Sequence, residues 1–255
     1  MPSASWSWPL VRAAAVHLYT ATGAVLALLI VLAAIEGEVD RALWLGLVAL
    51  VIDGTDGMLA RRFRVKERIP LFDGATLDNI VDYLTYVFAP VVLLLQGGYL
   101  PAGGTGTLVA AIPLVASAYQ FCRVDAKAEP GTDDHFFRGF PSYWNVVAFY
   151  AVALDLGPGA VSAVVVVCAL LVPVPIGYLY PSRTRDFRPL TLTLSAVWLV
   201  AYAVIVAQLP DPHPFWLALS LVYIAYYIGL SLLLEARRRS VRAARAAAPA
   251  AVLPG

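Results

Sequence analysis

Four aspartates set into otherwise apolar runs, Asp53, Asp56, Asp78 and Asp82, are the residues of this chain best suited to chemistry. Asp53 and Asp56 stand three apart and Asp78 and Asp82 four apart, so on helices each pair shares one face. An ionised carboxylate in a membrane segment is costly, and is held there against a cavity, a partner or a metal. Four on two successive helices make a polyanionic pocket, and divalent cations, Mg2+ or Mn2+, answer that problem most directly. Two such ions bridged by carboxylates would clamp a pyrophosphate and stabilise the departing phosphate. The residue types around the acids suit that use. Gly54, Gly57 and Ala60 lack bulk and would let a nucleotide approach the backbone. Arg61 ends the first face with a guanidinium able to grip a phosphate. Gly74 leaves room where the second helix begins. Asp53, Asp56, Asp78 and Asp82 are therefore the candidate metal ligands, and Asp53, Gly57, Ala60, Arg61 and Gly74 the candidate nucleotide and phosphate contacts. Asp82, one turn deeper than Asp78, doubles as candidate general base for an attacking hydroxyl. Asp73 reads as a helix N-cap.

The elements that must position these residues follow from composition. Hydrophobic residues make up 60% of the chain and charged residues 14%, with a mean hydropathy of +0.76. A soluble domain carries roughly 25% charge, so this is an integral membrane protein, all-α, a polytopic helix bundle. Apolar spans fall at about 15–35, 42–62, 78–97, 105–123, 143–157, 159–178, 190–209 and 215–235, about eight transmembrane helices, the fifth of them short. Residues 1–14, with Trp6 and Trp8, read as an interfacial amphipathic lead-in, 15–236 as the transmembrane catalytic domain, and 237–255 as a basic, disordered cytoplasmic tail. With the amino terminus in the cytoplasm, every one of the 18 Lys and Arg residues except Arg41 lies on the cytoplasmic side, a strong positive-inside bias. The expected location is the cytoplasmic (inner) membrane, with both termini and the acids facing the cytosol. Asp53 lies eight residues before Arg61, roughly 12 Å inside that helix end, so a site there can meet a water-soluble molecule and a lipid together. Cys122 and Cys168 suggest packing thiols and no disulfide framework.

The stretch from Asp53 to Asp82 resembles the signature of the CDP-alcohol phosphotransferase superfamily, DxxDGxxAR followed by GxxxDxxxD. Asp53, Asp56, Gly57, Ala60, Arg61, Gly74, Asp78 and Asp82 fill all its positions. Twelve residues separate Arg61 from Gly74, a longer interval than most of the superfamily has. That interval, with DNIVDYLTYVFAP (78–90), SAYQFCRVDAK (117–127), DDHFFRGFPSYWNVVAFY (133–150) and YPSRTR (180–185), is similar to the bacterial phosphatidylcholine synthase branch. The resemblance covers the chain from about His17 to about Arg188. It implies CDP-diacylglycerol and choline as substrates, release of CMP, a Mg2+ or Mn2+ requirement and a homodimer, with no nucleic-acid partner.

Choline is a quaternary ammonium without a donor on nitrogen, so aromatic faces and nearby negative charge should hold it. Tyr86, one turn beyond Asp82, and Tyr143, Trp144 and Asp134 at the entry to the fifth span are the candidates. His17 is a candidate lining residue of the headgroup site. His135 reads as an ordinary hydrogen-bonding residue and His213 as lying outside the chemistry. Arg123 and Arg138 are the cations best placed to meet phosphate. Acceptors such as serine, glycerol phosphate or inositol phosphate are the nearest alternatives, and anionic ones would want more cations in the site. A small cation transporter is a remote alternative, but the acids cluster at one face and no repeat accompanies them.

Overall fold

The computed structural model describes residues 8–126 and 135–247, so Asp133 and Asp134 lie outside the described residues. Helix α1 (Trp8–Ile35) makes one rod of the second half of the lead-in and the first span. A tight turn with Gly37 at φ +77° reverses the chain into α2 (Val39–Arg62), which carries Asp53 and Asp56. Arg64 takes a left-handed conformation, φ 48°, and starts the short α3 (Val65–Arg68). The third span, Gly74–Gln96, then runs as α4 (Gly74–Asp82), a π-helical turn over Tyr83–Phe88, and α5 (Ala89–Gln96). Pro90 gives this break its physical reason: it has no N–H to donate, and its ring would collide with the carbonyl four residues earlier. Widening the turn, with Ala89 N–H donating to the Leu84 carbonyl, accommodates it, and such π turns gather at functional sites.

This third span is the axis of the bundle. Of its apolar window 56% is buried, against 28–33% for the other five long helices. Helices α6 (Gly104–Cys122), α7 (Trp144–Ala153), α8 (Pro158–Leu171), α9 (Arg188–Ala207) and α10 (Pro214–Ala247) complete the helical set among the described residues. Among the described residues six helices are long and apolar enough to cross a bilayer; α7 and α8 are shorter. The ten residues of α7 span only about 15 Å, about half of the hydrocarbon thickness.

The main core lies between the central span, α1, α2, α7 and α9. Trp144 and Phe149 are fully buried there, and Phe149 stacks on Tyr202 with ring centroids 3.9 Å apart. The Tyr202 hydroxyl donates to the Leu43 carbonyl at 3.1 Å and Trp198 Nε1 to the Tyr150 hydroxyl at 3.0 Å. Bonds of this kind between membrane helices contribute about 0.6 kcal/mol each on average, so they fix which faces meet more than they hold the bundle together.

Three features depart from the expected pattern. The sixth apolar helix ends at Leu171 rather than near 178, because Pro173 and Pro175 cannot continue it. The fold is not purely α: the chain released by those prolines forms β2 (Gly177–Leu179), antiparallel to β1 (Phe136–Arg138), with Phe137 opposite Tyr178. Gly139, at φ +87°, lets the chain leave β1; a Cβ there would lie 1.9 Å from the Val172 carbonyl oxygen. Finally, α10 runs without a break through Ala247, so the basic segment expected to be disordered begins as helix.

Candidate metal centre and substrate site

The carboxylates come together because α2 ends where α4 begins, with only α3 and two turns between them. Asp53, Asp78 and Asp82 each offer an oxygen, and these oxygens lie within 4.8 Å of one another. Asp82 is buried, the other two half-buried. Three hard carboxylate oxygens so close repel each other strongly unless a cation lies among them, and this donor set fits Mg2+ or Mn2+. Asp56, expected as a fourth ligand, is not one of this trio. It is buried and accepts a hydrogen bond from Thr20 Oγ1 of α1 at 2.8 Å. It still lines one small cavity with Asp53 and Asp82, bounded also by Thr20, Gly23, Val81 and Thr85. Gly23 lets α1 approach this closely, since a Cβ there would meet Val81 Cγ1 at 2.4 Å.

The small residues of the stretch do different jobs. A Cβ on Gly54 would meet nothing within 4 Å, so that face of α2 is open, and a Cβ on Gly57 would press on Arg61 Nη1 at 3.3 Å. Gly57 thus leaves the exposed Arg61 side chain room to lie along the helix towards the acids. Ala60 packs instead with Ala13, Val16 and Val65, joining α2 to α1 and α3. Gly74 is required by its neighbour: a Cβ would stand 2.8 Å from His17 Cε1, whose ring also lies against Phe72 at 4.3 Å. His17 therefore supports the start of α4. Asp73 caps that helix, accepting from the backbone N–H of Ala75 and Thr76 at 3.0 and 3.2 Å. Its hydrogen bond from the Thr76 hydroxyl is the main reason its carboxyl is held below the usual carboxylate range.

On the other side of Asp53 lies an aromatic group. The Tyr86 hydroxyl donates to Asp53 Oδ2, bridging the central span to α2. The Tyr86 ring meets Tyr143 edge to face, centroids 6.1 Å apart, and Tyr143 in turn touches Phe137 at 6.0 Å and Tyr227 at 6.1 Å. Phe137 stacks on Tyr180 at 4.4 Å. Trp144, expected beside Tyr143 around a ligand, is a core residue instead, fully buried with its indole N–H on Ser117 Oγ at 2.7 Å. Phe137, Tyr180 and Tyr227 went unnoticed as single residues, although Phe137 and Tyr180 lie in segments that carry the family resemblance; Tyr227 had no such signal. Thr20 and Gly23 were also missed. They are ordinary residues in an apolar helix, and only the packing reveals them.

Arg123 and Arg138 do not reach this site as an open pair of cations. Both bind Asp125, Arg123 through Nε and Nη2 and Arg138 through Nη1, all at 2.9 Å, and the hydrogen bonds from Arg123 above all hold the Asp125 carboxyl below its usual range. His135 uses its carbonyl to accept from Thr184 Oγ1 at 2.8 Å and does not belong to the carboxylate cluster.

Fold and site together define a polytopic membrane protein with a cluster of three carboxylates, able to hold a cation, at one end of its central helix. The CDP-alcohol phosphatidyltransferase family model matches residues 15–175, and the chain belongs to that family. It is 42% identical to a phosphatidylcholine synthase of Pseudomonas aeruginosa over 89% of this chain and 93% of the relative. It is 38% identical to one of Legionella pneumophila over 85% and 86%, and 35% identical to one of Borreliella burgdorferi over 76% and 81%.

Proposed function

We propose that this protein transfers the phosphatidyl group of CDP-diacylglycerol to choline, giving phosphatidylcholine and CMP. The observation that carries the reading is the meeting of Asp53, Asp78 and Asp82 within 4.8 Å in a chain whose relatives bear that activity in their names. Asp53, Asp78 and Asp82 would hold a divalent cation, Mg2+ or Mn2+, and Asp56, on the wall of the same cavity, is the carboxylate nearest to serve a second. Such cations supply charge neutralisation of the pyrophosphate. The open face at Gly54 and the Arg61 guanidinium beside Gly57 receive the nucleotide phosphates. The choline hydroxyl oxygen forms a bond to the phosphorus that carries diacylglycerol. The bond from that phosphorus to the bridging oxygen breaks, and CMP leaves with that oxygen. Asp82, the most buried of the trio, takes the hydroxyl proton. Tyr86 fixes Asp53 through its hydroxyl and, with Tyr143, borders the place for the acceptor. Positioning and electrostatics dominate such phosphoryl transfer.

The positive-inside bias supports a cytoplasmic site, in the cytoplasmic membrane, reached by choline from the cytosol and by the lipid from the bilayer; homodimer formation belongs to the same reading. The test is acceptor competition. Purified protein with CDP-diacylglycerol and Mn2+ should label lipid from choline, and serine, glycerol phosphate and inositol phosphate should neither compete nor release CMP. CMP release with one of those alcohols and none with choline would retain the metal site and replace the acceptor.

A further inference from the structure

The hairpin of β1 and β2 is fastened to α10 by an unusual concentration of polar contacts. Leu179 N–H donates to Ser231 Oγ at 2.9 Å, and the Tyr227 hydroxyl donates to the Leu179 carbonyl at 3.0 Å. One turn on, Gly177 N–H donates to Glu235 Oε2 at 3.2 Å and Arg238 Nη2 to the Gly177 carbonyl at 3.1 Å. The Arg238 guanidinium also lies 3.4 Å over the Phe136 ring. Residues 227, 231, 235 and 238 fall on one face of α10, so the whole strand is held edge-on to that helix. Successive strand residues point to opposite faces. With Phe136 committed to α10, Phe137 is turned towards Tyr143 and Tyr180. The hairpin thus delivers Phe137 and Tyr180, and α10 delivers Tyr227, to one place.

That place adjoins the reaction centre, because Tyr143 touches Tyr86 and Tyr86 bonds Asp53. The segment that carries Tyr143 also holds two unpaired polar atoms. Ser142 and Asn145, on either side of Tyr143 in sequence, each keep a buried side-chain oxygen with no hydrogen-bond partner among the described residues, and Ser142 is completely buried. Buried polar atoms left unpaired are rare, so this segment is polar at its buried side although the rings beside it are not.

Building on the choline reading above, we infer that Phe137, Tyr143, Tyr180 and Tyr227, next to the Tyr86–Asp53 pair, form a subsite for the quaternary ammonium of the acceptor. Electron-rich ring faces attract a cation within about 6 Å of their centroids, and Asp53 adds negative charge at one side. The two-carbon spacer of choline then sets its hydroxyl near Asp82 while the ammonium stays among the rings. The subsite selects against anionic acceptors, which aromatic faces repel.

The experiment uses the full-length protein in detergent and tetramethylammonium, which has the cation but no hydroxyl to react. Tetramethylammonium should inhibit competitively against choline and not against CDP-diacylglycerol. In Phe137→Leu and Tyr227→Leu, the choline KM and the tetramethylammonium inhibition constant should both rise at least tenfold, with the CDP-diacylglycerol KM within twofold of wild type. Tyr227→Phe keeps the ring and loses the hydroxyl that bonds Leu179, so its effect should be smaller, and Phe137→Tyr should restore tight binding if Phe137→Leu folds poorly. Unchanged choline KM and inhibition constant in both leucine variants would overturn the proposal, as would a change confined to kcat. Should another alcohol prove to be the acceptor, calorimetric titration separates the two ideas. Tetramethylammonium binding that Phe137→Leu abolishes supports the subsite although the choline reading falls, and no binding to wild-type protein ends it.

Discussion

The carboxylate centre and the aromatic group next to it are built in opposite ways. All three converging acids come from two helices joined by eleven residues, 63–73, and the four-residue spacing of Asp78 and Asp82 on one of them does much of the positioning. The rings come from the central span, a short hairpin, the start of α7 and the far end of the chain at Tyr227, and no local rule brings them together. The first region is a product of helix geometry; the second depends on tertiary docking, above all of β2 on α10. The chemistry that every family member needs would then lie in the local element, and the choice of acceptor in the assembled one.

The largest effect separating the two regions should come from the acids. Asp82→Asn removes the proposed base, and a positioned base contributes on the order of 10^2–10^4-fold; CMP release should fall by at least that much. Nucleotide binding should persist, because Asp53, Asp78 and Arg61 remain. Near-normal turnover in Asp82→Asn would end its assignment as base. Next in size is Tyr143→Leu, at the hub of the rings. A desolvated cation–π contact is worth about 2 kcal/mol, so the choline KM should rise roughly thirtyfold while the CDP-diacylglycerol KM stays put. If both KM values moved together, the two regions would not divide the work as described.

A smaller effect is expected at the joint between α1 and α2. Thr20→Val leaves the buried Asp56 carboxylate without its hydroxyl donor, which costs on the order of 1–3 kcal/mol. Thermal unfolding in detergent should shift downward, and Thr20→Ser should restore it. The smallest concerns Asp73, exposed at the start of α4. Its carboxyl is held below the ordinary range in the fold, chiefly by Thr76. The stability it contributes is therefore present above the unfolded-state value and fades as pH falls through the folded one. Asp73→Asn keeps a capping oxygen but cannot titrate, so its unfolding midpoint should depend less on acid pH than that of wild type.

Much of this was legible in the sequence, for reasons that differ by region. The eight expected apolar segments each contain a helix, because long apolar runs in a membrane protein leave the chain little choice. Helices α1, α8 and α10 differ from them by seven residues or more at one end. Asp78 and Asp82 share a face as their i+4 spacing suggested, and Asp53 of the preceding helix meets them. The bond of Asp56 to Thr20 was not readable, since it depends on which α1 residue faces α2. The early end of α8 was written in Pro173 and Pro175, yet the strand that follows needed a partner 41 residues away, Phe137 opposite Tyr178. Trp144 was misplaced for a general reason: an aromatic residue at the start of an apolar segment can face a ligand, the interface or the core, and only the docking of α6, with Ser117 waiting for its indole, decides among them.

The central claim is that Asp53, Asp78 and Asp82 act as one cation centre driving transfer from CDP-diacylglycerol to choline. It is tested most directly by incubating purified protein in detergent with CDP-diacylglycerol, Mn2+ and labelled choline, and following labelled lipid and CMP together. The account predicts that the two appear in equal amounts, and that both vanish on chelation, return with added Mn2+, and are absent in a folded Asp78→Asn variant. Labelled lipid and CMP formed at wild-type rates by Asp78→Asn, or no CMP from folded, metal-loaded wild-type protein with any alcohol, would contradict it.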